Sequence, residues 1–566
     1  MWMTELPPFV PFFVAAMLAL VTRGALQAVI MLAAPLLGGL QLWFGVPPGI
    51  HMSIAVLEYD LVLMRTDQLS LVFGYIFHIA AFVLVIYTLH LKDTLQHVSG
   101  LIYAGSAMGA VFAGDLITLF IFWELLAVSS VFLIWARRDA RSMAAGIRYL
   151  IYQVLSGVIL LAGALIYYRY TGSLAFNFIG VDNIGGWLIL LAFGIKCAFP
   201  FLHTWLTEAY PASTHTGAAV LSVFTTKVAV YALARGFPGT DILIYIGAVM
   251  TCFPIFYAVL ENDLRKVLSY SLINQLGFMV CGIGIGTALA LNGAVAHAFS
   301  HILYKSLLFM SMGAVLYRVG NIYASDLGGL YKSMPKTTVL CIVGAASISA
   351  VPLFSGFVAK SLVMTALLQE QLTIVWLMLL FASAGVLHHA GIKVPFFAFF
   401  AHDSGIRTQE APTNMLVAMA IAALLCIFIG VQPQYLYAML PWEMDYWPYD
   451  ASHVLAQLQL LFFAALAFVW MEIKGYAPPE LHSTNIDVEW LYRKLLPATA
   501  SVVFRSSQAL VKGTEDMIHA SIKRAGAGMR DTRAGRFHFA ASWPTGSMVF
   551  WIAVILGTFL VADAFQ

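Results

Sequence analysis

Apolar runs of roughly twenty residues recur along this chain, bounded by glycine, proline or charge. Each is about long enough to cross a bilayer core as a helix, and within hydrocarbon a helix pairs its own backbone donors and acceptors. The runs fall near 8–22, 25–46, 69–90, 100–114, 115–135, 148–168, 186–206, 215–236, 241–260, 267–288, 293–317, 337–372, 373–400, 413–432, 455–474 and 546–564. The fourth is short and the twelfth over-long. With 61% hydrophobic residues, 10% charged residues and a mean hydropathy of +0.86, the composition lies outside the soluble range. The expected class is an all-α polytopic membrane protein of about 14–16 transmembrane helices. Pro7 and Pro8 precede an apolar run that reads as a retained first span rather than a cleaved signal.

Orientation follows from basic loops. Arg23, Lys92, the group Arg137, Arg138, Arg141 and Arg148, the pair Arg265 and Lys266, the group Arg318, Lys332 and Lys336, and Arg407 all fall on one side under this assignment. That side is cytoplasmic, and both termini face outward. The segment 475–545 is basic, and Val502, Val503, Phe504, Leu510, Val511, Met517 and Ile518 recur in it at roughly helical spacing. It reads either as an amphipathic helix on the cytoplasmic membrane surface or as a solvated tether, with Gly526 to Gly535 the looser part. The expected divisions are N-terminal helices 1–98, a first repeat 99–240, a second repeat 241–410, C-terminal helices 411–475, the surface segment 476–545 and a final span 546–566.

Few ionisable residues lie deep in these runs, and they carry the chemistry. In Trp187–Trp205 the single charge, Lys196, sits at mid-depth, and Pro200 removes a helical donor one turn later. A charge beside a broken helix at the midplane is the pattern of an ion site. Glu124, Lys227, His297, His301, Lys305, Lys360 and Lys393 are the other deep groups. Five unpaired midplane lysines would cost on the order of 15 kcal/mol, as much as the stability of a whole domain. They must face a hydrated or paired interior. Glu124 is the one deep acid and pairs best with Lys196. His297, His301 and Lys305 follow at i, i+4 and i+8 and line one helix face, as a proton relay would.

The spacing also suggests a repeat. Lys196 and Lys227 are 31 residues apart and Lys360 and Lys393 are 33 apart, with a shift of 164 to 166 between the pairs. Lys393 joins the candidate set on this spacing alone. Other residues read as structural. Asp115 caps a helix, Arg235, Lys266 and Lys332 snorkel, and Trp187, Trp205 and Tyr231 are belt residues. Glu58, Asp60 and Asp67 are solvated in an outward loop, and Gly282 to Gly286 serve helix packing. The five cysteines lie in apolar stretches without CxxC spacing, so neither a disulfide framework nor a metal site is implied. A net charge of +2 names no partner and gives no reason to expect nucleic acid.

Six stretches together resemble the antiporter-like subunits shared by Mrp-type cation/proton antiporters and respiratory complex I, closest to the D-type subunits of the Mrp antiporters. They begin at Phe122 (Phe-Trp-Glu-Leu-Leu), Lys196 (Lys-Cys-Ala-Phe-Pro-Phe-Leu-His-Thr-Trp-Leu), Thr226 (Thr-Lys-Val-Ala-Val-Tyr), Asp263 (Asp-Leu-Arg-Lys-Val-Leu-Ser-Tyr-Ser), His297 (His-Ala-Phe-Ser-His-Ile-Leu-Tyr-Lys) and Pro352 (Pro-Leu-Phe-Ser-Gly-Phe-Val-Ala-Lys). The resemblance implies two inverted five-helix repeats, each with a discontinuous helix. It implies Glu124 and Lys196 as the ion pair of a first half-channel, Lys227 as a bridging base, His297, His301 and Lys305 as the central axis, and Lys360 as the terminal base. It supplies no role for Lys393. The expected function is proton translocation in a multisubunit Na⁺/proton antiporter of a bacterial inner membrane, in contact with lipid and other membrane subunits. The alternative is a proton-pumping or energy-coupling subunit of a complex I-like, hydrogenase or inorganic-carbon uptake complex. A third reading, a non-conducting scaffold, is weakened by the retained Glu124 and lysines. Such a chain is a transporter subunit, at most part of an NADH:quinone oxidoreductase-like complex. Nothing in it resembles haem, flavin or cluster ligation, so no cofactor is expected. The D-type subunits usually stop near fourteen spans, and Asn485-Ile-Asp-Val-Glu-Trp-Leu-Tyr-Arg resembles instead the start of the lateral-helix tail of larger antiporter-like subunits.

Overall fold

The computed structural model describes residues 6–56, 59–476, 478–482, 485–530 and 545–564. Contacts divide the chain into two units, Met1–Asn485 and Ile486–Gln566. The first opens with α1 (Val10–Val21) and α2 (Gly24–Trp43), then an antiparallel hairpin, β1 (Gly49–Val56) and β2 (Tyr59–Thr66). This hairpin stands where the sequence suggested a solvated loop. Helices α3 (Gln68–Thr88), α4 (Thr94–Phe112), α5 (Leu116–Trp135) and α6 (Ala140–Thr171) follow. The next two crossings are broken: α7 (Ile184–Lys196) with α8 (Thr204–Ala212), and α9 (Gly217–Leu221) with α10 (Thr225–Gly236). Then come α11 (Ile242–Leu260), α12 (Leu264–Ile285), α13 (Ala288–Val319), the broken α14 (Pro335–Ile348) and α15 (Ser355–Gln369), and α16 (Thr373–Val386). A π-helical turn, Leu387–Lys393, extends α16. Helices α17 (Thr413–Val431), α18 (Pro433–Tyr437) and α19 (Ala451–Lys474) complete the unit. The second unit holds α20 (Leu496–Arg530) and α21 (Thr545–Ala564). Among the described residues eleven helices are long and apolar enough to cross a membrane, and five shorter apolar helices accompany them.

Aspartates set where many helices begin. Asp67, Asp93, Asp115, Asp139, Asp263 and Asp450 each accept a backbone N–H from the first turn of the helix they precede. A cap of this kind contributes about 1 kcal/mol. Asp115 does more than cap. Its carboxylate also takes the Val62 N–H at 2.7 Å and so fastens the hairpin to α5.

The backbone shows the repeat more clearly than the lysines do. Helices α6 and α13 are both 32 residues long, start 148 residues apart, and end on left-handed Gly172 and Gly320. The bridges Asp115 to Ala175 and Asp263 to Tyr323 stand at the same offset. The breaks carry matching sequences, Ala198-Phe-Pro-Phe and Ala350-Val-Pro-Leu, with positive φ at Ala198, Phe201, Ala350 and Leu353. Helix α13 is the fifth crossing after α6, an odd number of steps, so the two halves run in opposite directions.

This register, 148 to 152 residues, corrects the lysine spacing of 164 to 166. Lys196 precedes its break and Lys360 follows its own.

Several residues read as solvated, snorkelling or belt residues have partners within the fold. Asp67 and Arg235 form a 2.7 Å ion pair, and Arg235 also donates to the Tyr231 hydroxyl. Tyr231 and Trp205 are buried and bond the carbonyls of Val111 and Ile195. They are not belt residues, because freed or terminal carbonyls need buried donors. Lys266 and Lys332 pair with Glu261 and Asp403. Asp60 is exposed as expected, whereas Glu58 lies outside the described residues. Helix α20 keeps Val502, Phe504, Leu510 and Met517 exposed, and residues 531–535 of the looser stretch lie outside the described residues.

Candidate functional site

The first break has local causes. Pro200 lacks a donor, and Ala198 and Phe201 hold left-handed backbone, at φ 60° and 68°, which non-glycine residues adopt at a cost of about 1–2 kcal/mol. The carbonyls near the end of α7 are met by side chains: Ile195 O takes Trp205 Nε1 at 2.9 Å, and Ala192 O takes Ser156 Oγ at 2.7 Å. Lys196, the last residue of α7, is fully buried. The carbonyl end of a half-helix favours a cation. Its ammonium bonds the Trp123 carbonyl on α5 and lies 4.6 Å from the Trp123 ring centre.

Glu124 is the next residue. It is partly buried and interacts electrostatically with Lys196. Among the described residues its Oε1 has no hydrogen-bond partner, while Lys196 bonds the neighbouring carbonyl. Gly157 on α6 makes room for this carboxylate, since a Cβ there would meet Glu124 Oε1. One turn away, Gln153 is buried with neither amide atom partnered among the described residues. In the repeat register Tyr149, Gln153 and Gly157 are the counterparts of His297, His301 and Lys305. Sequence reasoning missed Gln153, and the repeat register is the signal that exposes it.

Lys227 lies beyond Lys196. Helix α9 stops at Leu221 and α10 starts at Thr225, and Lys227 Nζ fills the gap by donating to Ser222 O at 2.5 Å and to Thr226 Oγ1 at 3.2 Å. Cys197, adjacent to Lys196, interacts with Lys227. Lys227 in turn acts on His301 and Lys305. The ring nitrogens of His301 and the Lys305 ammonium are buried with no partner among the described residues. Buried polar atoms in that position are ordinarily satisfied by water.

His297 is better anchored. Its Nε2 meets Gln275 Oε1 and the Tyr304 hydroxyl, each at 3.1 Å, and Tyr304 also donates to Gln275 at 3.0 Å. Gln275 donates to Asn274, which donates to Thr251 O. The Phe278 ring stacks on His297, with centres 5.7 Å apart, and its centre lies 4.9 Å from Lys360 Nζ. Lys360 donates to Ile348 O at 3.4 Å and Ser383 Oγ at 3.3 Å. A cavity of about 570 Å³ extends from Lys360 between α15, α16 and α19, with Ser361, His453 and Gln457 among its lining residues.

The structure thus joins Glu124, Lys196, Lys227, His301, Lys305, His297 and Lys360 through one buried seam. Lys393 stands apart from this seam. It bonds the carbonyls of Val259 and Glu261 at 2.6 and 2.8 Å and pairs with Glu480 at 2.8 Å. Nothing in the spacing of residues marks Glu480 as its partner.

The transmembrane family model described as NADH:quinone oxidoreductase/Mrp antiporter matches residues 113–431, which hold this whole seam. The chain belongs to the NADH:quinone oxidoreductase/Mrp antiporter family. Within that family, hydrogenase-4 component B of Escherichia coli (strain K12) is 26% identical over 67% of this chain and 64% of its own length. The D component of the Na(+)/H(+) antiporter of Alkalihalophilus pseudofirmus is 31% identical over 46% of this chain and 57% of its own length. The chain therefore spans less than two thirds of the length of these curated relatives. Among solved structures, a chain of the archaeal membrane-bound sulfane sulfur reductase has the same fold over 99% of this chain and all of its own, with a TM-score of 0.70 at 22% identity. A chain of the Mrp complex from Dietzia sp. DQ12-45-1b covers 82% of this chain and 98% of its own, with a TM-score of 0.68 at 20% identity.

Proposed function

We propose that this chain is the proton-translocating subunit of a multisubunit monovalent cation/proton antiporter in a bacterial inner membrane, with Na⁺ as the exchanged cation. The carrying observation is the buried seam of titratable groups, in which Glu124 Oε1, both His301 ring nitrogens and the Lys305 ammonium have no hydrogen-bond partner among the described residues while Lys196 bonds the Trp123 carbonyl. A proton on Lys196 is held by Glu124 when the two approach and is released toward Lys227 when they separate. His301, Lys305 and His297 carry it past Phe278 to Lys360, and the cavity beside Lys360 provides the way out. Moving one charge through 100 mV takes about 2.3 kcal/mol, within the range that opening and closing a buried pair supplies.

A second reading, the energy-coupling subunit of a redox complex, is favoured by the match to hydrogenase-4 component B across two thirds of the chain. Inverted membrane vesicles containing the chain with its native partners separate the two. Adding Na⁺ should discharge a preformed proton gradient if the complex is an antiporter. Proton pumping only on addition of an electron donor, with no response to Na⁺, would overturn that reading in favour of the second.

A further inference from the structure

The π-helical turn Leu387–Lys393 belongs to no part of the path above. A π turn inside a helix is costly and marks functional sites. Here it backs onto the second break, since a Cβ on Gly391 would meet Ser349 Oγ. It presents a partly buried histidine, His388, a buried one, His389, and a buried lysine. Neither ring nitrogen of His388 has a partner among the described residues. His389 is fully buried and feels the charges of Lys305, His388 and Lys393.

Lys393 leads toward the surface. Its side chain is 2% exposed, and Glu480, which pairs with it, is 10% exposed. Glu480 follows α19, on the side of the basic loops. Its second oxygen has no partner among the described residues. Burial raises its affinity for a proton against the pull of Lys393. The other charged groups acting on Lys393 are Glu261 and Glu472, and Glu261 is itself held by Lys266 and Asn485. A clasp between α16 and the end of α11 would need only the two carbonyl bonds of Lys393. It would need neither the histidines nor a half-free buried carboxylate.

We propose that Glu480, Lys393 and His389 form a second proton inlet, from the side of the basic loops, that loads Lys305, while onward movement of that proton is still driven by the opening of the Glu124–Lys196 pair. The proposal rests on the proton-path reading above. Lys393 passes its proton through water to neutral His389 and regains one from Glu480, which takes one from solvent. His389 then gives its proton to neutral Lys305. One proton moves inward, and Glu480, Lys393 and His389 return to their starting states.

The test uses the whole complex in inverted vesicles, with Glu480→Gln, Glu480→Asp, His389→Gln and, as control, Lys196→Ala. Each variant is scored for assembly, for proton flux and for the pH profile of that flux. We expect Glu480→Gln and His389→Gln to assemble normally, to lose most of the flux and to shift the pH profile, with Glu480→Asp restoring most of both. Unchanged flux and profile in both variants, with Lys196→Ala inactive, would overturn the inlet and leave the main path standing. Failure of both to assemble would make the group a clasp and also overturn it. Normal flux in Lys196→Ala would overturn the path reading itself.

Discussion

Lys360 reaches back across the second break to the carbonyl of Ile348, at 3.4 Å. Ile348 is the last residue of α14, as Lys196 is the last residue of α7. The two lysines therefore stand on opposite sides of their breaks in sequence, and their ammonium groups meet different carbonyls, Ile348 O at the end of α14 for Lys360 and Trp123 O on α5 for Lys196. The partial negative charge at the end of α14 draws a cation, and each ammonium also meets an aromatic face, Trp123 or Phe278.

Gly157→Ala tests the space reserved for Glu124. An added Cβ would occupy the position of Oε1, so the carboxylate must leave its place near Lys196. Alanine is the better helix former by about 1 kcal/mol, so assembly and thermal stability should hold. Transport should fall by about the same factor as in Glu124→Gln, roughly 100-fold. Wild-type transport in Gly157→Ala would show that this placement of Glu124 does not matter.

Phe278 separates His297 from Lys360. Phe278→Leu keeps an apolar side chain but loses the ring that both groups contact, at a stability cost of about 1–2 kcal/mol. We expect a passive proton leak in proteoliposomes that the wild type lacks, because water can then bridge His297 and Lys360. An unchanged leak would remove Phe278 from any gating role.

How far these features could be read from the sequence depends on their range. His297, His301 and Lys305 were legible because α13 is a regular helix and spacing alone puts them on one face. Lys196 was legible because Pro200 announces the break. The bond from Lys196 to the Trp123 carbonyl was not, since a backbone acceptor 73 residues away leaves no mark in composition. Glu480 was hidden for the same reason, lying in a short polar segment after α19. The lysine spacing misled because Lys196 precedes its break and Lys360 follows its own, which adds to the repeat offset. Ala-x-Pro and the matched ends of α6 and α13 keep the register instead. Trp205 and Tyr231 looked like belt residues because hydropathy does not distinguish a lipid-facing ring from one that donates to a buried carbonyl.

The surface offers a pH test. Arg407 and then Lys332 hold the Asp403 carboxylate well below the ordinary range, with the Gly405 N–H adding to them. A depressed carboxylate stabilises the fold above its unfolded value, about 4, and loses that contribution as pH falls through the folded value. Asp403→Asn should therefore lower the thermal midpoint by a constant amount near neutral pH and by less under acid conditions. The group is exposed, so the effect should be small and should shrink further in high salt. A difference that grows on acidification would contradict this.

The most direct measurement is proton flux through the assembled complex, in proteoliposomes under an imposed gradient, with Lys196→Ala set beside the wild type. If the buried seam is the conduit, the variant assembles with its partners and its flux falls to the level of empty liposomes. Flux equal to wild type from the assembled variant would mean that protons cross elsewhere, and the account of this chain would be wrong.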